Sequence, residues 1–549
     1  MAKAYTGKIK GKIVSSCEKV LWSKEPKGAE KRAIMLKGER LNFQLAFFND
    51  APPKRRNRVV VSGDLAPYVT LRSVENVPHV YTAPEADDYY VGKEVGLYPD
   101  LLKPIGDLGV VLPDCQWKSV WVSLEKEGGL PIGKHTLCFD LVNEAGQTVL
   151  SLSHTVEVLD IEAPESDLKM TNWMHYDCIC TYHKLKPFSK AFYDMLEKYL
   201  LIYVDCGFTL LLTPLFTPPL DTAIGSERPT VQLIGVEVTE EGYHFDFEEF
   251  RRFVAFAKKN GIKYFELSHL FTQWGGKCCP KIVAKKNGRL QKIFGWDTPS
   301  DSREYRDFLR AFLPALYRQL VELGIADACY MHLTDEPSSE NIEAYAECCR
   351  LVKESMPNIP TIDALSKPIF FERGLVDIPV PSIHHSEPFV GLPLKERFAY
   401  CCCFPNNGYY SNRFINMPGE RTRILGMQLY KNETRGFLHW GFNFYYSVLS
   451  LEPIDPYADT NAGGIFPAGD GFIVYPADEL RYSQRAELLK EAVQDYRALL
   501  ALESFAGKEA VMALLEEAGV RGYNEFPHGT TAFMRLRNKI YARLKAYIG

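Results

Sequence analysis

From residue 170 onward the chain repeats one grammar: a short apolar run, a loop rich in polar and aromatic residues, then an amphipathic helix. Asn172–His175, Thr209–Thr213, Tyr264–Leu267, Ala328–Leu333, Pro360–Ala364, Ile378–Ile383, Gly408–Asn412 and Gly436–Trp440 read as strands. Ser189–Val204, Phe247–Lys259, Ser302–Leu323 and Ser339–Lys353 read as helices between several of them. Eight such strands over about 300 residues predict a (β/α)8 TIM-like barrel rather than an open sheet. The helix signals are weakest after the fifth and sixth strands.

The flanks read differently. Before residue 160 short alternating runs such as Arg40–Phe47, Val59–Val61, Ser119–Leu124 and Thr155–Leu159 are separated by turn-rich segments such as Asn49–Pro53, which predicts an all-β sandwich. Glu162–Ser166 reads as the linker, and Arg485–Leu500, Gly507–Ala518 and Asn538–Ile548 as tail helices. The reading is a multidomain α/β chain: a β-sandwich over 1–165, the barrel over 166–482 and a helical segment over 483–549. A chain of 549 residues has room for these parts at a prior of about 150 residues per domain.

Charge excludes several partners. Lys+Arg is 64 against Asp+Glu 69, a net −5 without long runs of either sign, so neither nucleic acid nor a membrane surface is expected. No run reaches the 18 or so apolar residues of a membrane span, and the start MAKAYTGKIKGK lacks the apolar core of a secretory signal, so a cytoplasmic location is expected. The 14 cysteines fall in adjacent sets such as Cys278-Cys279, Cys348-Cys349 and Cys401-Cys402-Cys403, poor geometry for disulfides or zinc, and read as reduced thiols. No metal or cofactor is expected, and the oligomeric state is left open. The aromatic share, 13%, offers flat apolar faces of the kind on which sugar rings stack.

Chemistry in such a barrel belongs at the C-terminal strand ends, where the βα loops meet. Those ends carry His175-Tyr176-Asp177, Ser268-His269, Thr334-Asp335-Glu336-Pro337, Asp363, His384-His385, Tyr410-Ser411-Asn412 and Trp440-Gly441-Phe442-Asn443. The sharpest is Asp335-Glu336, two adjacent carboxyls delivered by an apolar strand that Pro337 ends. Like charges this close do not both ionise freely, so one becomes a candidate general acid near neutral pH. A helix start decorated with acids is the plain alternative. His384-His385 lack a carboxylate pattern and read as loop residues rather than metal ligands. No His-Glu-x-x-His, Walker, Gly-x-Gly-x-x-Gly or Gly-x-Ser-x-Gly sequence occurs.

Taken together, Asn172–Asp177, Leu211–Thr222, Leu333–Pro337, Gly436–Asn443 and Gly469–Pro476 resemble, in order, the catalytic domain of glycoside hydrolase family 123. Lys37–Arg40 and Phe43-Gln44 look like that family's β-sandwich. The resemblance implies a retaining β-N-acetylgalactosaminidase in which the substrate's own acetamido group is the nucleophile. Glu336 then protonates the glycosidic oxygen and later activates water, while Asp335 orients the acetamido N–H and stabilises the oxazolinium. This is an exception to the usual pair of opposed carboxylates, since both acids serve one edge of one sugar.

Residues singled out for the glycoside or oligosaccharide substrate are His175 and Asp177 at strand one, Asp221 in a Pro-Pro-Leu-Asp-Thr loop, Trp274 beyond strand three, Tyr410 and Asn412, and Trp440 and Asn443 at the last strand. Each has a plain structural alternative, core for the tryptophans and loop hydrogen bonding for the others. Two other readings stay open: hydrolysis of a sugar lacking the acetamido group, with Asp177, Asp363 or Glu387 as nucleophile, or a non-catalytic carbohydrate-binding barrel. Linkage, aglycone and galacto versus gluco selectivity are not legible.

Overall fold

The structure, a computed structural model, describes residues 7–337 and 339–548. Two five-stranded sheets face each other in the N-terminal sandwich. One runs Lys8–Ser15, Leu41–Asp50, Trp117–Leu124, Val69–His79, Gly96–Pro104, and the other Arg32–Lys37, Thr148–Glu162, Gly133–Val142, Lys54–Ser62, Val110–Leu112. Period-two alternation sets the register: Phe43 opposite Val122 and Leu45 opposite Val120 turn alternate residues inward, onto Leu137, Phe139 and Val156 of the other sheet.

The barrel strands are β1 (Lys169–Asn172), β2 (Leu210–Thr213), β3 (Tyr264–Leu267), β4 (Cys329–His332), β5 (Thr361–Ala364), β6 (Ile378–Val380), β7 (Phe398–Cys401) and β8 (Gly436–His439). β2 to β6 pair in order and in parallel, as do β7, β8 and β1. Two joins close the ring: Thr209 N donates to Met170 O at 3.0 Å between β1 and β2, and Tyr400 N to Pro381 O at 2.9 Å between β6 and β7. The lumen is filled by Leu210, Leu212, Tyr330, Ile362, Val380, Phe398 and Leu438, a packed core rather than a pore.

Two strand assignments from the sequence are corrected. The seventh strand is Phe398–Cys401 and not Gly408–Asn412, where Gly408 and Tyr409 have φ of +64° and +62°, outside the extended region a strand requires. The first strand lies three residues earlier than Asn172–His175, because His175 already caps the helix Tyr176–His183. The hairpins Gly235–Asp246 and Ile282–Phe294, which join into a four-stranded sheet beside the barrel, have no counterpart in the sequence reading.

The helix Gln484–Ala506 is wedged between sandwich and barrel, and its charges are spent inside. Arg485 meets Asp100 at 2.9 Å, Glu487 meets Arg72 at 2.5 Å, and Asp495 accepts from Arg423 at 2.7 Å, all within the buried interior or at its margin. Arg485 also donates to Phe472 O at 2.8 Å, fastening the segment 469–472 against the barrel mouth.

Candidate active site

A cavity of about 190 Å3 opens at the C-terminal end of the barrel, walled by Trp173, Asp221, Gln273, Trp274, Asp335, Glu336, Tyr400, Cys402, Cys403, Trp440 and Phe466 among others. Asp335 and Glu336 leave β4 just after its last ladder pair. Glu336 has φ +49°, a backbone region that costs a non-glycine residue on the order of 1 kcal/mol and that gathers at functional sites. Its carboxylate is exposed, and Tyr400 on β7 donates its hydroxyl to Oε1 at 2.8 Å. The Trp274 loop is tied to the same strand end, with Trp274 N donating to Asp335 O at 2.8 Å.

Burial, then the charge of Glu336, pushes the Asp335 carboxyl well above the usual range. Beneath it lies a buried polar layer. His332 Nδ1 faces Glu266 Oε1 at 2.8 Å and Nε2 faces Asp363 Oδ1 at 3.4 Å. Burial alone would lower the His332 pKa, but these two carboxylates overcome it and push the ring up to about 10, so His332 is an imidazolium at neutral pH. Glu266 also accepts from Trp173 Nε1 at 2.8 Å and Thr171 Oγ1 at 2.9 Å, and Asp363 accepts from Thr334 N and Oγ1, each at 3.1 Å. Of this layer Trp173 reaches the cavity wall, its indole held by Glu266.

Asp221, Trp274 and Trp440 line the cavity with the acid pair. Asp221 accepts from Leu449 N at 2.9 Å through Oδ2, and burial pushes its carboxyl up to about 6. Trp274 is 45% exposed, a flat face turned to solvent. Trp440 is fixed by Asp470, which accepts from its indole N–H at 2.8 Å, and by Phe466 at 5.3 Å between ring centres. Asp470 is itself fully buried, its carboxyl pushed up to about 7 by that burial against the opposing pull of Arg413. Arg413 Nη2 donates to His439 Nδ1 at 2.6 Å, which leaves His439 Nε2 to carry its proton toward Asp470 Oδ1 at 3.3 Å. Gly441 is needed here because a Cβ would sit 2.7 Å from Asp470 O.

The remaining sequence-selected residues lie outside the cavity lining. Arg228 clamps Asp177 through Nε at 2.6 Å and Nη2 at 2.7 Å, and also reaches His175 Nδ1 at 3.2 Å. His175 Nε2 therefore donates to Trp440 O at 2.8 Å. Asn443 exchanges two hydrogen bonds with the backbone of His175, at 2.8 and 3.1 Å, stitching β8 to β1. Asn412 Nδ2 donates to Cys402 O and Pro405 O, at 2.9 and 3.0 Å. Tyr410 packs near His384. The ligand atoms of His175, Asp177 and Cys178 come within 4.8 Å of one another, but the Arg228 guanidinium already supplies the cation between them. Tyr400, Arg228, Arg413 and Asp470 escaped selection in the sequence; for Tyr400 the available signal was the apolar quartet Phe398-Ala399-Tyr400-Cys401.

A closed parallel barrel whose mouth joins adjacent carboxyls to exposed and half-buried tryptophans is the build of a glycoside hydrolase. The model of the glycoside hydrolase 123 catalytic domain matches residues 173–502, and the chain belongs to that family. The structure of a family 123 glycoside hydrolase from Clostridium perfringens, from a study of glycolipid glycan hydrolysis, is similar over 98% of both chains with a TM-score of 0.75 at 15% identity. That likeness extends to the sandwich and the tail. A glycosyl hydrolase family 2 member from Bacteroides cellulosilyticus aligns with a TM-score of 0.30 at 9% identity over 82% of this chain and 48% of that one. A β-galactosidase-type protein from Bacteroides fragilis gives 0.33 at 11% over 87% and 62%. No curated protein sequence matches the chain. Among the described residues no helix is long and apolar enough to cross a membrane.

Proposed function

We propose that the chain is an exo-acting, retaining β-N-acetylgalactosaminidase that uses the acetamido group of its substrate as nucleophile. The observation that carries this reading is the adjacency of Asp335 and Glu336 on one strand end inside one cavity. Retention through an enzymic nucleophile needs two carboxyls about 5–5.5 Å apart on opposite sides of the anomeric carbon, whereas neighbours in sequence reach the same edge of the sugar. Glu336, exposed and steadied by Tyr400, is the group that protonates the leaving oxygen and then takes a proton from water. The proton that the acid pair holds on Asp335 passes to Glu336 when Asp335 receives the acetamido N–H, and Asp335, then a carboxylate, offsets the positive charge that develops on the oxazolinium. Trp440 and Trp274 are the sugar platforms, and Asp221 a ligand for a ring hydroxyl.

Asp177 and Asp363 support the alternative of a side-chain nucleophile poorly, because Arg228 holds the first and Thr334 occupies an oxygen of the second. The glycolipid glycans named for the Clostridium perfringens relative are the first natural substrates to test. The deciding experiment pairs a GalNAc-thiazoline with a 2-fluoro glycoside. Competitive inhibition by the thiazoline, weakened in Asp335→Asn, and no covalent adduct with the fluoro sugar are the expected results. A glycosyl adduct on Asp221, Asp177, Asp363 or Glu387 would overturn substrate assistance.

A further inference from the structure

Cys402 and Cys403 follow β7 directly and line the same cavity as Glu336. Both are half-buried, and the Cys403 thiol donates to Cys402 Sγ at 3.9 Å while the Cys402 thiol donates to Phe404 O at 3.5 Å. The other adjacent cysteines are placed differently. Cys348 and Cys349 are both buried, Cys279 is buried beside a half-buried Cys278, and Cys401 is buried with its thiol on Asn412 Oδ1 at 3.6 Å.

A disulfide suits sequence neighbours badly, because consecutive Cα atoms lie about 3.8 Å apart and disulfides favour about 4.4–6.8 Å. A one-atom bridge suits them well. Trivalent arsenic is pyramidal and holds two bound sulfurs roughly 3.4 Å apart, a small side-chain rotation from the 3.9 Å at which the pair stands.

We propose that Cys402 and Cys403 form a dithiol site in the cavity wall that takes a trivalent arsenical, and that filling it blocks entry of the sugar. The balance is closed: an arsenoxide and two thiols give two As–S bonds and one water, the oxide oxygen leaving with both thiol protons and no change of oxidation state. Contact with the neighbouring Cys403 sulfur, then burial, holds the Cys402 thiol well above its ordinary pKa, so it stays protonated at pH 7 and reacts slowly with thiolate-seeking alkylators. A reagent that gains from both sulfurs at once is thereby favoured over one that needs a single thiolate.

The blocking half of the proposal rests on the cavity being the catalytic one; the labelling half does not. Phenylarsine oxide at one equivalent should give a single adduct by intact mass that maps to the peptide spanning 402–403, with activity falling in step. Release by 2,3-dimercaptopropanol, but not by the same thiol concentration of 2-mercaptoethanol, is expected. Cys402→Ser and Cys403→Ser should each require about 100-fold more arsenical for half labelling, the loss expected when a two-point attachment becomes one-point, while Cys278→Ser labels as the parent does. An adduct that maps elsewhere, or one released equally by the monothiol, would overturn the dithiol site even if the serine variants fail to fold. An adduct at 402–403 with full activity would leave the site standing and count against the cavity as catalytic.

Discussion

The two halves of the barrel mouth carry similar residues and treat them in opposite ways. At β1 and β8, Asp177 is gripped by the fully buried Arg228, and His439 and Asp470 stand in line with Arg413. At β4 and in the loop after β2, Asp335, Glu336 and Asp221 open onto the cavity with no arginine or lysine within ion-pair distance among the described residues. A carboxylate at this mouth is structural where buried donors have taken its lone pairs, as Arg228 does for Asp177 and Thr334 for Asp363, and available for chemistry where it opens onto the cavity. Position on the rim selects the candidates, and their buried partners sort them.

The largest effect expected from breaking this contrast is on rate. Glu336→Gln keeps size and exposure but removes the proton, and should lower kcat on an unactivated β-GalNAc glycoside by about 100- to 10,000-fold with thermal stability unchanged. Steady-state rates and a melting curve on one preparation check both halves; near-normal turnover would remove Glu336 from the chemistry.

On the clamped side the same kind of change should strike folding instead. Arg228→Met leaves the buried Asp177 without its cation, which costs on the order of 3–5 kcal/mol. The double variant Arg228→Met/Asp177→Leu removes both charges and should recover most of that loss. Urea unfolding of the three proteins measures the difference. A single variant as stable as the parent would mean that Asp177 is not dependent on the pairing.

Sequence patterns made much of this visible, for identifiable reasons. β3 emerges with the same limits, Tyr264–Leu267, because its apolar run is bounded by a helix and a polar loop. Asp335 and Glu336 stand out because a four-residue apolar strand stops against two charges and a proline. β7 is just as short, but the tyrosines at 409 and 410 mimic a better strand than Phe398–Cys401 does, and only backbone angles reveal the turn. Arg228 was illegible for another reason. It sits in a loop of Gly, Ser, Glu and Pro that looks solvated, and its partner Asp177 is 51 residues earlier. Long-range charge pairing leaves no periodic trace, so the site's acids could be read and their neutralisers could not.

Asp221 offers a test by pH of the open half. Its folded pKa of about 6 lies above its ordinary value of 3.8, so the folded state holds the proton more tightly than the unfolded chain does. Stability from this group is present below pH 4, falls as pH rises through about 4 to 6, and is lost above that window. Asp221→Asn preserves the acceptor for Leu449 N and removes the titration. The variant should match the parent near pH 4 and exceed it by on the order of 1–3 kcal/mol above pH 6. Parallel stability curves that stay superimposed across the window would show that solvent already relieves Asp221 of its burial.

The smallest effect belongs to Tyr400, and it separates a floor residue from a working one. Tyr400 reaches across from β7 to Glu336 Oε1 at 2.8 Å, while Glu336 itself is exposed on a strained backbone and has no arginine to hold it. Tyr400→Phe removes one oxygen and keeps the ring among Trp173, Phe398 and Leu438, so packing is largely conserved. A hydrogen bond to a partly solvated carboxylate is worth about 1 kcal/mol, hence about a fivefold fall in kcat with KM and melting temperature little changed. The double variant Tyr400→Phe/Glu336→Gln sharpens the point. If the hydroxyl acts only by steadying Glu336, its loss costs nothing further once the acid is gone, and the two effects fail to multiply. If the fivefold factor persists in the double variant, Tyr400 works on the sugar directly, and its hydrogen bond to Glu336 is not the source of its effect on rate.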